Sequence, residues 1–130
     1  MELSLPPSPT RLAGLRQAAR ACLRGVASET ADDVVLVLNE VATNAILYGS
    51  GGGQPVQVVV HVTNDVIEAS VLDHGPQPPA SARLVGLCLA PGRRLWLLPR
   101  LVDEVRLERV GLGTRVTLRR QLGPPRTLAR

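Results

Sequence analysis

Two polar residues in the first half of the chain, Glu40 and Asn44, have the types and spacing needed for general-base or metal chemistry. They are four residues apart, so on a helix they project from the same face, one turn apart. Strongly apolar residues flank the pair at 34–38 and 41–42. A carboxylate beside a carboxamide can polarise a hydroxyl or a water and can complete the oxygen shell of a magnesium ion. The alternative interpretation is that both residues face solvent on an ordinary helix.

A second candidate is Asp73, which ends an apolar stretch and is followed by His74 and Gly75. A carboxylate in this position can accept a hydrogen bond from the exocyclic amine of a base, and a glycine lets the backbone approach a ligand closely. An ordinary strand-ending turn with an Asx cap would also account for these residues. We expect His74 to be a partly exposed loop residue.

Two further segments that contain glycine could bind an anion or shape a ligand site. One is the run Gly92, Arg93, Arg94 and Leu95. Here a glycine turn enters a predicted helix, where backbone N–H groups favour anions, and two guanidiniums follow at once. The other is the pair Gly113 and Thr114, which opens the last predicted strand. A plain hairpin turn is the alternative for that pair.

The first 49 residues predict two helices. In the first, apolar residues recur at helical spacing over 12–26 and Gly25 breaks the pattern. The second is expected to begin at Thr30, whose hydroxyl could cap it, with acidic residues at 32–33 in the first turn and a stop at Gly49. Glycines and a proline then predict a loop.

Beyond residue 55 the hydrophobic period changes from the helical value to two, which is typical of strands. Residues 56–62 and 66–72 predict an antiparallel hairpin, and residues 105–120 predict a closing hairpin. The Pro- and Gly-rich residues 75–92 predict a functional loop or lid. A third helix is predicted over 95–105.

Helices on one side and strands on the other give every element a partner for its apolar face, so the predicted architecture is a two-layer α/β sandwich. The length of 130 residues is enough for one hydrophobic core. We therefore expect a single domain over residues 1–130, with flexible ends at 1–7 and 121–130.

The composition narrows the classes of function. All 15 basic residues are arginine, which excludes any mechanism that needs a lysine, and the formal net charge is +4. The arginines are scattered, and Tyr48 and Trp96 are the only aromatic residues on which bases could stack. A nucleic-acid partner is therefore not expected.

The cysteines and the apolar runs indicate the compartment. Cys22 and Cys88 are far apart and lack the spacing of a disulfide framework or a zinc site. No apolar run has the length needed to span a bilayer, and the first residues lack the pattern of a signal peptide. We expect a cytoplasmic protein with no membrane partner.

Together and in this order, the four segments resemble the histidine-kinase-like ATPase (GHKL) superfamily. Its Bergerat fold is shared by DNA gyrase, histidine kinases, a heat-shock chaperone and bacterial anti-sigma factor kinases. Residues 38–45 (LNEVATNA) are similar to the N box, 73–76 (DHGP) to the first glycine box, 92–95 (GRRL) to the second, and 113–116 (GTRV) to the closing Gly-Thr motif. The resemblance extends over residues 8–120.

Within that superfamily, the small size and the absence of a helix pair with a phosphoacceptor histidine look most like the anti-sigma factor serine/threonine kinases. The resemblance implies an α+β fold, with a mixed, mostly antiparallel sheet covered on one face by about three helices. It also implies ATP and Mg²⁺ as cofactors. Glu40 would then be the catalytic base, Asn44 the magnesium ligand, Asp73 the adenine reader and Thr114 a member of the adenine-site water network.

The same resemblance makes residues 75–92 an ATP lid. It adds these ATP-binding residues: Gly75, Gly92, Arg93, Arg94 and Leu95. The usual substrate of such a kinase is a serine on an anti-anti-sigma protein, and its other partner is a sigma factor. The resemblance thus implies a regulator of transcription, with a homodimer as a further expectation.

The chain departs from the family pattern at two positions. Arg94 replaces the second glycine of the second glycine box, and Gln77 stands where some relatives have another glycine. A side chain at Arg94 occupies the place where the backbone normally approaches the phosphates. Two hypotheses follow: an ATP-dependent protein kinase, or a domain of the same fold that has lost nucleotide binding and sequesters a regulator without catalysis.

Overall fold

The computed structural model describes residues 1–48, 53–74 and 101–122. In that part of the chain a five-stranded sheet is packed against two α-helices. The elements are β1 (Glu2–Leu5), a 3₁₀ turn (Pro9–Arg11), α1 (Leu12–Cys22), α2 (Ser28–Tyr48), β2 (Val56–Val62), β3 (Val66–Asp73), β4 (Glu104–Val110) and β5 (Gly113–Gln121).

The sheet has the strand order β1-β2-β3-β5-β4. Both predicted hairpins are confirmed, β2 with β3 and β4 with β5. The second turns at Gly111, whose φ of 61° is a conformation that glycine adopts without steric cost. The predicted α+β fold is confirmed, although every pairing among the described strands is antiparallel and none is parallel.

The core lies between the helices and one face of the sheet, because side chains alternate along each strand. Val58, Val71 and Val116 are neighbours across three strands on the buried face, and Leu15 of α1 and Leu38 of α2 are buried in the same core. Burial of these aliphatic side chains is the main favourable term in folding. The opposite face of the sheet is polar.

Helix α2 begins two residues earlier than the sequence predicts. Its first helical hydrogen bond joins the N–H of Ala31 to the carbonyl of Ala27 at 2.9 Å, so Thr30 lies inside the helix and does not cap it. Glu29, rather than the acidic residues at 32–33, complements the helix dipole in the first turn.

In the described part of the chain, no helix is both long enough and apolar enough to cross a membrane.

Strand residues occur in both segments that the sequence predicts to be flexible ends. Within residues 1–7, Glu2–Leu5 forms the edge strand β1, in which Leu3 pairs with Val58. At the other end, β5 continues to Gln121. The edge strand is too short to show a period, and its partner lies more than fifty residues away.

The helix predicted over 95–105 is wrong at its C-terminal end, because β4 begins at Glu104. Val105 and Leu107 pack against the core with the charged Arg106 between them, and this alternation has the period of a strand. The predicted lid and several other predicted segments lie outside the described residues: 50–52, 75–92, 95–100 and 123–130.

Candidate functional site

Glu40 and Asn44 lie in the second half of α2, and each is only 8% exposed. The side-chain nitrogen of Asn44 donates to the backbone carbonyl of Glu40 at 2.9 Å. The side-chain oxygen of Asn44 can therefore accept or coordinate a ligand. Both side chains are buried, so the interpretation that they face solvent is wrong. Burying polar side chains among aliphatic ones is costly unless they have hydrogen-bond or ligand partners.

Asp73 and Thr114 form the second polar pair, at the ends of neighbouring strands. They are paired in the register of β3 and β5, and the backbone N–H of Thr114 donates to Oδ1 of Asp73 at 3.2 Å. Asp73 is 2% exposed and Thr114 is fully buried. Within the described residues, the Thr114 hydroxyl has no hydrogen-bond partner. A buried hydroxyl in this state indicates a place for a water or a ligand atom.

Gly113, which the sequence singles out with Thr114, has a structural role that the sequence does not explain. A Cβ at this position would overlap the backbone carbonyl oxygen of Asp73. Only glycine therefore lets the start of β5 approach the end of β3 closely enough for the Thr114 N–H to meet the Asp73 carboxylate. The Gly-Thr order is visible in the sequence, but the reason for it lies in the strand register.

An ion pair at the other end of the sandwich orients α2 relative to β5. Nη1 of Arg120 lies 2.9 Å from Oδ2 of Asp33, which joins the end of β5 to the start of α2. From Asp33 to Asn44 the helix rises about 16 Å. From Arg120 back to Thr114, β5 extends about 20 Å. Because these two lengths are similar and α2 packs on β2 and β3, we infer that the Glu40 pair and the Asp73 pair lie at the same end of the fold.

Oxygen donors available for a metal ion are few. Among the described residues, no group of three or more His, Cys, Asp and Glu side chains could hold a metal. Magnesium commonly takes one or two protein oxygens and completes its shell with phosphate oxygens and waters. The side-chain oxygen of Asn44 fits that requirement, and the buried Asp73 and Thr114 fit the polar edge of a base.

The other predicted ATP-binding residues lie outside the described part of the chain: Gly75, Gly92, Arg93, Arg94 and Leu95. Their roles stay predictions. Within the described residues the candidate site has two halves, one on α2 and one on the β3–β5 pair.

Comparison with protein families gives one match across most of the chain. The family described as "Histidine kinase-like ATPase domain" matches residues 5–120. That range includes both polar pairs of the candidate site. No curated protein matches the chain.

Three solved bacterial structures illustrate the match to known folds. The RsbU and RsbW domains of Rv1364c from Mycobacterium tuberculosis match with a TM-score of 0.73 and 23% identity, over 96% of this chain and 32% of that chain. The histidine kinase domain of a blue-light activated kinase from Erythrobacter litoralis EL346 matches with a TM-score of 0.56 and 22% identity, over 90% and 61%. The Acinetobacter baumannii histidine kinase AdeS matches with a TM-score of 0.57 and 11% identity, over 95% and 68%.

At these identities the likeness establishes the fold. The chain spans about a third of the length of the Rv1364c structure.

Proposed function

This chain belongs to the histidine kinase-like ATPase domain family, and we propose that it is an ATP-binding regulator of the anti-sigma-factor kind that acts as a protein serine/threonine kinase. The observation that carries the proposal is the burial of two polar pairs, Glu40 with Asn44 on α2 and Asp73 with Thr114 across β3 and β5. The structural neighbour that contains an RsbW domain supports the anti-sigma part of the proposal.

Asp73 binds the base in this proposal. Its buried carboxylate accepts a hydrogen bond from the exocyclic amine of adenine, while the Thr114 N–H holds Oδ1 in place. A carboxylate at this point favours a base with an amine over one with a carbonyl there, because two acceptors would face each other. The Thr114 hydroxyl completes the polar edge through a water or a ligand atom.

Asn44 holds the magnesium ion through its side-chain oxygen, and its nitrogen is fixed by the Glu40 carbonyl. When bound, magnesium–ATP supplies the γ-phosphoryl group, and the cation offsets the charge of the phosphates. The helix keeps Asn44 in one orientation, so little motion is lost when the ligand binds.

Glu40 is the general base. Its carboxylate would accept the proton of the serine hydroxyl of the protein substrate as that oxygen bonds to the γ-phosphorus of ATP, the bond from this phosphorus to the β-phosphate oxygen breaks, and ADP leaves. Positioning contributes most of the acceleration in phosphoryl transfer. Helix α2 supplies it by holding Glu40 and Asn44 one turn apart on a buried face.

The proposed partners are an anti-anti-sigma protein as substrate and a sigma factor as target, with a homodimer as the working form in the cytoplasm.

A second candidate function is favoured by Arg94, which stands at a glycine position of the second glycine box. In this second function the domain sequesters a regulator and does not bind nucleotide.

Calorimetry with magnesium–ATP separates the two functions. The kinase proposal predicts a heat of binding for the wild type and for Glu40→Gln, and none for Asp73→Asn. The matched controls are Glu29→Gln, on the exposed first turn of the same helix, and Asp65→Asn, in the exposed β2–β3 turn, and both should bind as the wild type does.

Phosphoryl transfer is measured with γ-labelled ATP and purified anti-anti-sigma proteins. Glu40→Gln should bind ATP and transfer no label, whereas Glu29→Gln should transfer it normally. Absence of binding at millimolar nucleotide in the wild type would refute the kinase proposal and favour the sequestering function. Normal transfer by Glu40→Gln would refute the role of Glu40 alone.

A further inference from the structure

Strand β4 brings an arginine to the same face and the same end of the sheet as the candidate base-binding pair. We infer that Arg109 is a further nucleotide-binding residue, which donates a hydrogen bond to a ring nitrogen of the base next to the amine that Asp73 accepts. This inference rests on the proposed function, because it needs a nucleotide at Asp73.

The strand register places Arg109. It is paired with Thr114 across β4 and β5, and Thr114 is paired with Asp73 across β5 and β3. Residues that are directly paired in a sheet have their side chains on the same face. The three residues therefore form one row across the end of the sheet.

The preceding residue pairs between β4 and β5 show that this row lies on the helix-covered face of the sheet. Val105 is paired with Leu118 and Leu107 with Val116, and all four side chains belong to the core under the helices or pack against it. Arg109 continues that alternation by two residues from Leu107. Its side chain therefore leaves β4 on the helix-covered face, at the point where the core gives way to polar groups.

The spacing across the row suits a purine. Neighbouring strands are about 4.8 Å apart, so Asp73 and Arg109 are about 10 Å apart across Thr114. A carboxylate and a long guanidinium side chain that reach toward each other from this distance can both touch the edge of one base. Thr114 lies between them, and its buried hydroxyl has no partner within the described residues.

The hydrogen-bonding character of the row is complementary to adenine. Adenine presents an amino donor with ring-nitrogen acceptors on either side of it. Asp73 is an acceptor, and the guanidinium of Arg109 is a donor that keeps its charge at every working pH. An acceptor and a donor in one row match that donor and acceptor pattern. The chain contains no lysine that could take this role.

Arg106 provides a matched control on the same strand. It lies three residues before Arg109, and it points to the opposite face of the sheet, where its Nη2 donates to Oε2 of Glu104 at 3.0 Å. That hydrogen bond raises the pKa of the Arg106 guanidinium above its ordinary value, so the control residue carries the same charge. Removing either arginine changes the net charge equally, but only one change touches the row.

The test compares Arg109→Gln with Arg106→Gln in the full chain, with ATP measured by calorimetry and adenosine by NMR titration. We expect Arg109→Gln to weaken ATP and adenosine by the same factor of about ten, which is typical of a lost hydrogen bond from a charged donor. Arg106→Gln should stay within about twofold for both ligands. Arg109→Lys, which keeps the charge and can still donate but lacks the planar guanidinium, should lie between the wild type and Arg109→Gln in affinity.

Two results would overturn this inference while leaving the proposed function intact. One is equal affinity of Arg109→Gln and Arg106→Gln for both ligands. The other is a loss for ATP with none for adenosine, which would place Arg109 at the phosphates instead of the base. A wild type that binds neither ligand would refute the proposed function, and the role of Arg109 with it. Circular dichroism of both variants checks that the fold is retained.

Discussion

Replacing Thr114 by valine should stabilise the protein and weaken its affinity for nucleotide. The side chain is fully buried, and its hydroxyl has no hydrogen-bond partner within the described residues. Burying a hydroxyl without a partner costs about 1–3 kcal/mol, because the group loses its water and gains nothing in return. Valine has the same branched shape and suits a strand equally well.

We take the lower end of that range, since a water can partly satisfy the hydroxyl. Thr114→Val is then expected to raise the free energy of unfolding by about 1 kcal/mol. For a chain of 130 residues this corresponds to an increase in Tm of about 4 °C. Affinity for magnesium–ATP should fall about three- to tenfold, the usual range for one neutral hydrogen bond.

The assays are urea unfolding without ligand and calorimetry with magnesium–ATP. Thr117→Val is the matched control, because Thr117 lies on the same strand, is 9% exposed and faces the opposite side of the sheet. It should leave the affinity unchanged. A loss of stability of 1 kcal/mol or more in Thr114→Val would refute the reasoning about the unpartnered hydroxyl. Unchanged affinity would remove Thr114 from the site.

Two pairs of substitutions test the supports of the site by urea unfolding. Gly113→Ala should lower the free energy of unfolding by about 1–3 kcal/mol, because its methyl group meets the Asp73 carbonyl. Gly14→Ala, in an open position of α1, should raise it by about 0.5–1 kcal/mol; equal effects would contradict the packing argument. Asp33→Asn should cost about 1 kcal/mol, because its partner Arg120 is three-quarters buried. Asp32→Asn, whose ion pair is mostly exposed, should change little; the reverse order would contradict the anchoring of α2.

The sequence predicts well those helices and strands in which apolar residues recur with a clear period. The hairpins around residues 63–65 and 110–113 follow from alternation and turn residues, which are local signals. The edge strand Glu2–Leu5 gives no such signal, because its pairing with β2 depends on residues far along the chain. The start of α2 differs for a related reason: Ser28 and Glu29 suit a first turn, so the helix does not need a cap at Thr30.

The candidate site likewise combines residues that local spacing identifies with features that depend on distant parts of the chain. Glu40 and Asn44 can be found from spacing alone, because a helix brings residues four apart to one face. Their burial cannot, since it depends on the packing of α2 against β2 and β3. Arg109 has no local signal, and the close approach that requires Gly113 has none either, because their place beside Asp73 is set by the pairing of three strands.

The proposed nucleotide site can be observed in a crystal structure of the chain grown with magnesium and a non-hydrolysable ATP analogue. We expect an adenine whose amine is hydrogen-bonded to Asp73, and a magnesium ion coordinated by the side-chain oxygen of Asn44. A nucleotide bound elsewhere on the fold would contradict the assignment of the site. Crystals that contain no nucleotide at millimolar analogue would contradict the proposed ATP-dependent function itself.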